Sequence, residues 1–369
     1  YYYVYAPMQI LVGLMLDRFG GKWLMVWASL IVGAGCFIPS LTDSFGMLIA
    51  ARMMMGLGSA FAFIGTVYLA AVWFPKSRLA FFSGMTTGLG MMGAMIGQAP
   101  LAWLVGVTGW QHSFLIAGFF GIAVAVALYL VIPAHPAWEI ARRESYLREN
   151  QSHHFLSALK AVFLNPQTWM IGFIACALYM PLAVFGDLWG VEYIQAITHE
   201  SPTAAAGAVS MLYVGWLIGG PTWGLVSDRI RQRRKPMMLA CLATAISIGV
   251  LLSFSYLPIE VMYGLLLLIG ICSSVQVVAF VANVEISPGY SRGSALAITN
   301  MIVMFLGGLF QWIVGVILTN LGDDNMANDA NLEILANNFR IAMLVLPAIA
   351  ILGSLTSYFM KETYRESHH

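Results

Sequence analysis

Charge is what this sequence has least of. Only 9% of its 369 residues are Asp, Glu, Lys or Arg, while 60% are hydrophobic. A soluble domain carries roughly 25% charged residues, so the shortage excludes an ordinary soluble fold and points to a polytopic membrane protein. A net charge of +1 leaves no basic surface for nucleic acid. Cysteine is scarce too. Cys36, Cys176, Cys241 and Cys272 fall singly inside apolar runs, which gives neither a disulfide framework nor a metal spacing. The pairs His153-His154 and His368-His369 are adjacent residues at polar positions, a poor geometry for a metal. No glycine-rich phosphate loop with its Lys and no nucleophile motif is present. Neither an enzyme nor a cofactor is expected. No cleavable signal peptide is visible, and the sequence does not open on Met. The chain opens on Tyr1-Tyr2-Tyr3-Val4-Tyr5, already inside an apolar run, and reads as lacking a helix that should precede it.

What is present is apolar length. A helix that crosses the bilayer needs about 20 apolar residues. Eleven runs qualify, from Tyr1–Leu16 to Phe339–Met360, interrupted by a polar stretch from Pro133 to Pro166 whose charge spacing suits an amphipathic helix on the membrane surface. The domains expected are therefore residues 1–132 as one helix bundle, 133–166 as a linker, 167–361 as a second bundle and 362–369 as a tail. Of the 18 Lys and Arg residues, all but Arg52 and Arg340 fall in loops that alternate onto one side. The opposite loops carry Asp43, Glu200, Glu260, Asp323, Asp324, Asp329 and Glu333. By the positive-inside rule the central linker and the C-terminus are cytoplasmic.

Two short segments repeat half a chain apart. Gly13-Leu14-Met15-Leu16-Asp17-Arg18-Phe19-Gly20-Gly21-Lys22 lies between two apolar runs, and so does Gly224-Leu225-Val226-Ser227-Asp228-Arg229. Ser77-Arg78 follows the first and Ser291-Arg292 the second, with Gly93 and Gly307 equally far along. This is the mark of an internal duplication in parallel orientation. The glycine-Asp-Arg segments resemble the loop signature of the major facilitator superfamily of secondary transporters. Arg52 with the small residues Gly56, Gly58, Ser59 and Ala60 is similar to that superfamily's fourth-helix motif. The resemblance implies an all-α polytopic membrane protein with two pseudo-symmetric six-helix bundles, here eleven spans with the first absent, working by alternating access. It implies gating roles for Gly13, Asp17, Arg18, Lys22, Gly224, Asp228, Arg229 and Arg292. Asp17 is expected to latch the helix start near Ser291 and Gly293, and Asp228 the one near Ser77. Leu188-Trp189-Gly190 and the surroundings of Gln98-Ala99-Pro100 look like a bacterial branch related to lysosomal dipeptide transporters.

Charges inside a membrane are costly and mark function. Arg52 lies about 10 Å in from the end of its span at 1.5 Å per residue. Asp187 and Glu192 come out at about 15 and 8 Å from theirs. Pro181 and Gly186 can kink or break the span that carries the two carboxylates. Asp187, Glu192 and Arg52 are the proton-coupling candidates. Arg52, Gln98, Asp187, Trp189, Tyr193, Gln276, Asn300 and Gln311 are the substrate-binding candidates. For Gln98 and Gln311, at near-equivalent places in the duplicated halves, a hydrogen bond between helices stands open beside ligand contact. One cation against two carboxylates argues against organophosphates and suits a zwitterion such as an amino acid or short peptide. An organic-anion, drug or metabolite exporter and a non-transporting sensor remain the alternatives. The partners expected are a small-molecule substrate, protons and the lipid bilayer, for a monomer in the cell inner membrane.

Overall fold

The structure is a computed structural model that describes residues 1–19, 21–42, 44–73, 79–132, 155–198, 200–254, 257–287, 292–321 and 330–364. Among them every regular element is a helix. The chain divides into two compact units.

Unit 1 takes Tyr1–Leu89 and Trp103–Leu164. It contains α1 (Tyr2–Phe19), α2 (Gly21–Leu41), α3 (Phe45–Trp73), the first part of α4 (Leu79–Ile96), most of α5 (Ala99–Thr108), α6 (Trp110–Val131) and the short α7 (Phe155–Phe163). Helix α2 is central and packs on both α3 and α6. Val12, Leu16, Met25, Ala28, Ala60 and Phe61 close one core patch. Cys36, Ala51 and Met55 close another.

Unit 2 takes Gly90–Ala102 and Asn165–His369. Its first span is continuous from Pro166 to Thr198 but changes geometry twice. It runs as α8 (Pro166–Met180), then a π-helical stretch (Pro181–Trp189), then α9 (Gly190–Thr198). After it come α10 (Pro202–Ile230), α11 (Arg234–Ser253), α12 (Ile259–Ser273), α13 (Gln276–Ile286), α14 (Arg292–Leu321), α15 (Ala330–Met343) and α16 (Val345–Phe359). Two of these starts follow one rule. Asn165 and Ser201 each cap a helix, accepting from Gln167 N at 3.0 Å and Ala204 N at 3.2 Å, and Pro166 and Pro202 fill the first helical position, where no N–H is needed. Helices α10 and α12 touch backbone to backbone. A Cβ on Gly215 would lie 2.5 Å from the Leu267 carbonyl, and one on Gly270 would run into the Leu212 carbonyl. Small residues are required at that crossing.

Ten helical runs among the described residues are long and apolar enough to cross a membrane. They coincide with ten of the eleven runs expected from sequence. The remaining one, Tyr1–Leu16, is helical, with a shorter apolar stretch over Tyr3–Val12. The fourth run is interrupted at Gly97-Gln98 and the ninth at Ser274-Val275. Residues 133–154, most of the expected surface linker, lie outside the described residues, as do Ser77 and Ser291 and, beyond their helical backbone, Gly13, Asp17, Arg18 and Arg292.

Candidate functional site

The π-helical stretch is built by its sequence. Pro181 has no N–H to give to the carbonyl four residues back, and its ring would press on that carbonyl in an α-helix. Widening to the i→i+5 pattern relieves both problems, and such turns recur at functional sites. The expected break at Pro181 and Gly186 therefore takes the form of a wider helix. The widened turn presents backbone carbonyls to side chains from other spans. Gln311 Nε2 on α14 donates to Ala183 O at 2.6 Å. Gln98 Nε2, in the break between α4 and α5, donates to Gly186 O at 3.0 Å. One helical segment earlier, Gln276 Nε2 donates to Ala175 O at 3.2 Å. Three glutamines from three other parts of the chain thus end on carbonyls of one span.

Helix α14 is shaped for this contact. Gly307, Gln311 and Gly315 recur every four residues and share a face. A Cβ on Gly307 would sit 3.4 Å from the Ala183 side chain, and one on Gly315 3.3 Å from the Trp189 ring. Trp189 Nε1 donates to the Gln311 carbonyl at 3.3 Å. The row Gly90, Gly93 and Gly97, along α4 and at its end, differs. Among the described residues nothing lies within 4 Å of a Cβ built on Gly90 or Gly93.

Asp187 sits at the end of this stretch and is exposed. Its Oδ1 accepts from the Tyr213 hydroxyl at 2.6 Å. Tyr213, on α10, is 2% exposed, and its oxygen lies 3.3 Å from Gln98 Nε2. Tyr213 was not among the candidates. It is 26 residues from Asp187, and only the register of two packed helices pairs them. A Cβ on Gly186 would come 3.1 Å from the Tyr213 oxygen, so glycine is what lets that hydroxyl approach.

The structure thus gathers Gln98, Asp187, Trp189 and Gln311 around one helical stretch. Other candidates lie elsewhere. Tyr193 is fully buried and its hydroxyl donates to Leu251 O at 3.2 Å. Gln276 is buried. Glu192 is exposed in the first turn of α9, and Asn300 is half-buried on α14. Arg52 is exposed in unit 1, with its guanidinium 5.9 Å from the centre of the Phe114 ring. It lines an open cleft of about 300 Å³ with Tyr1, Tyr3, Phe45 and Met53.

A second polar cluster lies where α10, α11 and α13 end. Arg233 is its centre. Its Nη1 donates to Asp228 Oδ1 at 2.6 Å and Ser227 Oγ at 2.9 Å, and its Nη2 to Glu285 Oε1 at 2.9 Å. Glu362 accepts from the backbone N–H of Arg233 at 2.8 Å and of Arg234 at 3.2 Å. Thr363 Oγ1 donates to Glu285 Oε2 at 3.0 Å, and Tyr364 stacks under Arg233. Burial opposes the Arg233 charge, but hydrogen bonds from the guanidinium to Glu285 and Asp228 outweigh it and raise its pKa. Burial likewise works against the Glu362 carboxylate. The N–H groups of Arg233, Tyr364, Arg234 and Thr363 overcome it and hold the carboxyl below its ordinary range. Of the gating candidates, Asp228 is engaged here, Arg229 is exposed, Lys22 lies 4.9 Å from the Tyr129 ring, and Gly224 has nothing within 4 Å of a built Cβ among the described residues. The latch expected between Asp228 and Ser77, and that of Asp17, fall on residues or side chains outside the description.

Ten helical runs among the described residues, long and apolar enough to cross a membrane, define a polytopic membrane protein. The Major Facilitator Superfamily model matches residues 1–191 and 188–369. The chain belongs to that superfamily, as its glycine-Asp-Arg repeats led one to expect. It is 24% identical over 244 residues to the probable sulfoacetate transporter SauU of Cupriavidus necator, a match covering 64% of this chain and 56% of that protein. It is 24% identical over 356 residues to the probable galactarate/D-glucarate transporter GudP of Escherichia coli, covering 88% and 78%. The chain thus spans just over half the length of the first relative. A solved structure of a bacterial homologue of the human lysosomal transporter Spinster, inward-facing and occupied, aligns with a TM-score of 0.71 at 15% identity, over 97% of this chain and 86% of that one. At that identity the likeness shows the fold.

Proposed function

We propose that the chain carries a small polar organic solute with a carboxylate or sulfonate group across the membrane by alternating access, driven by protons. Amino acids and short peptides are the zwitterionic members of that class, and sugar diacids the fully anionic ones. The observation that carries the reading is Asp187. It is an acidic group in mid-span, held at one oxygen by a neutral hydroxyl. An ionisable group inside a span is costly, and a carboxyl so placed suits a change of protonation. Arg52, well inside its own span, is the group proposed to recognise the acid of the solute. SauU and GudP, named for acidic solutes, support this class. The protein is proposed to act as a monomer in the cell inner membrane with its C-terminus in the cytoplasm.

Purified protein in liposomes tests the reading. Radiolabelled D-glucarate, sulfoacetate and a dipeptide are offered with and without an inward proton gradient. Gradient-dependent accumulation of at least one, lost in Arg52→Ala, is the expected result. Accumulation that ignores the gradient would remove the proton, and no uptake of any of the three would remove the solute class.

A further inference from the structure

Helices α11 and α16 run antiparallel and are tied together at one end. Ser354 Oγ donates to Met238 O at 3.1 Å. A Cβ on Gly353 would sit 3.2 Å from the Cys241 sulfur. The guanidinium of Arg234, the first residue of α11, lies 5.0 Å from the centre of the Tyr358 ring, in the last turn of α16. Each helix keeps an exposed apolar face that runs away from this end. On α11 it is Leu239, Leu242 and Ile246, and Lys235 opens the same face. On α16 it is Leu352, Leu355 and Phe359. From Lys235 to Ile246 is about 16 Å at 1.5 Å per residue. Half the hydrocarbon thickness of a bilayer is about 15 Å. The apolar face is therefore as long as one leaflet is deep, and cations stand at the level of the headgroups.

Those cations are not neutralised by the acids around them. Asp228 and Glu285 pair with Arg233. Glu362 accepts from the backbone N–H groups of Arg233, Arg234, Thr363 and Tyr364. Neither Arg234 nor Lys235 makes an ion pair among the described residues. Arg229 and Arg231, exposed at the end of α10, add positive charge to the same rim. Tyr358 and Phe359 are exposed beside it, as aromatic rings are where a span meets the headgroups. We propose that α11 and α16 form a docking surface for an anionic phospholipid. Its phosphate sits on Arg234 and Lys235, and its acyl chains lie along the two apolar faces. A zwitterionic phospholipid is bound less well, because its own ammonium offsets its phosphate.

Thermal melting of the full chain in mixed micelles tests the surface. Phosphatidylglycerol titrated into the detergent should raise the melting temperature, and added salt should weaken the effect. Lys235→Gln should move the midpoint of the titration about fivefold to higher lipid, and Arg234→Gln combined with it about twenty-fivefold. Arg234→Lys, which keeps the charge, should stay within about twofold of the unaltered protein. The midpoint is what is read, so a variant that starts less stable still decides. Phosphatidylcholine acting as well as phosphatidylglycerol would overturn the proposal, since no anion would then be selected. Glycerol phosphate acting as well would overturn it too, leaving a bare phosphate site with no use for the apolar faces. So would Lys160→Gln, a change in α7, proving as harmful as Lys235→Gln, because the attraction would then be general. A double variant that titrates like the unaltered protein would remove Arg234 and Lys235 as the headgroup site.

Discussion

Asp187 and Arg233 are two ways of keeping a charge in the same helical unit. Arg233 is buried, with 7% of its side chain exposed, and two carboxylates contact its guanidinium while a third takes its backbone N–H. Asp187 is exposed, and a neutral hydroxyl and amide line up on one of its oxygens. A charge surrounded by opposite charge stays as it is, and losing it leaves several ions uncompensated. The comparison separates a tie that holds three helix ends from a carboxylate proposed to change its protonation state.

The largest effect that sharpens this contrast is Arg233→Met, which keeps the stem and strands Asp228 and Glu285 together, leaving the backbone bonds to Glu362 in place. We expect about 3 kcal/mol of lost stability, read as a fall in melting temperature, whereas Asp187→Asn should change it by no more than about 0.5 kcal/mol and abolish accumulation. Equal losses of stability in the two variants would erase the distinction. Next is Gln311→Leu. It leaves the Ala183 carbonyl without its side-chain donor and should cost about 1 to 2 kcal/mol, with faster amide exchange confined to 181–190. No local change in exchange would show that the wide turn stands without its glutamines. The smallest effect is in the tail. The Glu362 carboxyl is held below the ordinary 4.5 when folded. The contacts it makes are therefore fully present above pH 4.5 and are lost as pH falls through the lower folded value. Protease cleavage after Lys361 should accelerate only in that acid window, and Glu362→Gln should remove the window. Cleavage that is independent of pH would count against the docking of the tail by this carboxylate.

Much of this molecule is legible in its residues. The spans follow from apolar length, the family from two loops with Asp-Arg, and Asp187 from the cost of a charge in lipid. The wide turn is half legible: Pro181 and Gly186 announce an irregularity, but not its form. What the glutamines do is not legible. Gln98 and Gln311 look alike by position, with ligand contact and helix pairing both open, and only folded coordinates show each ending on a backbone carbonyl. Tyr213 carries no local signal, because its role comes from a partner 26 residues away on another helix. Arg233, in a run of basic residues, reads as one more cytoplasmic cation, since two of the three acids around it, Glu285 and Glu362, come from distant places. Arg340, one of two departures from the positive-inside pattern, is explained by the fold. Its Nη2 donates to the Phe254 carbonyl at 3.0 Å, at the C-terminal end of α11, where a cation is favoured.

The bare crossing at Gly215 and Gly270 has a mechanical consequence. Two rods whose main chains touch cannot slide past each other without lifting apart, so α10 and α12 must travel as a single plank. Tyr213 is fixed to that plank, so a tilt of the plank against the wide turn would stretch the hydroxyl contact to Asp187.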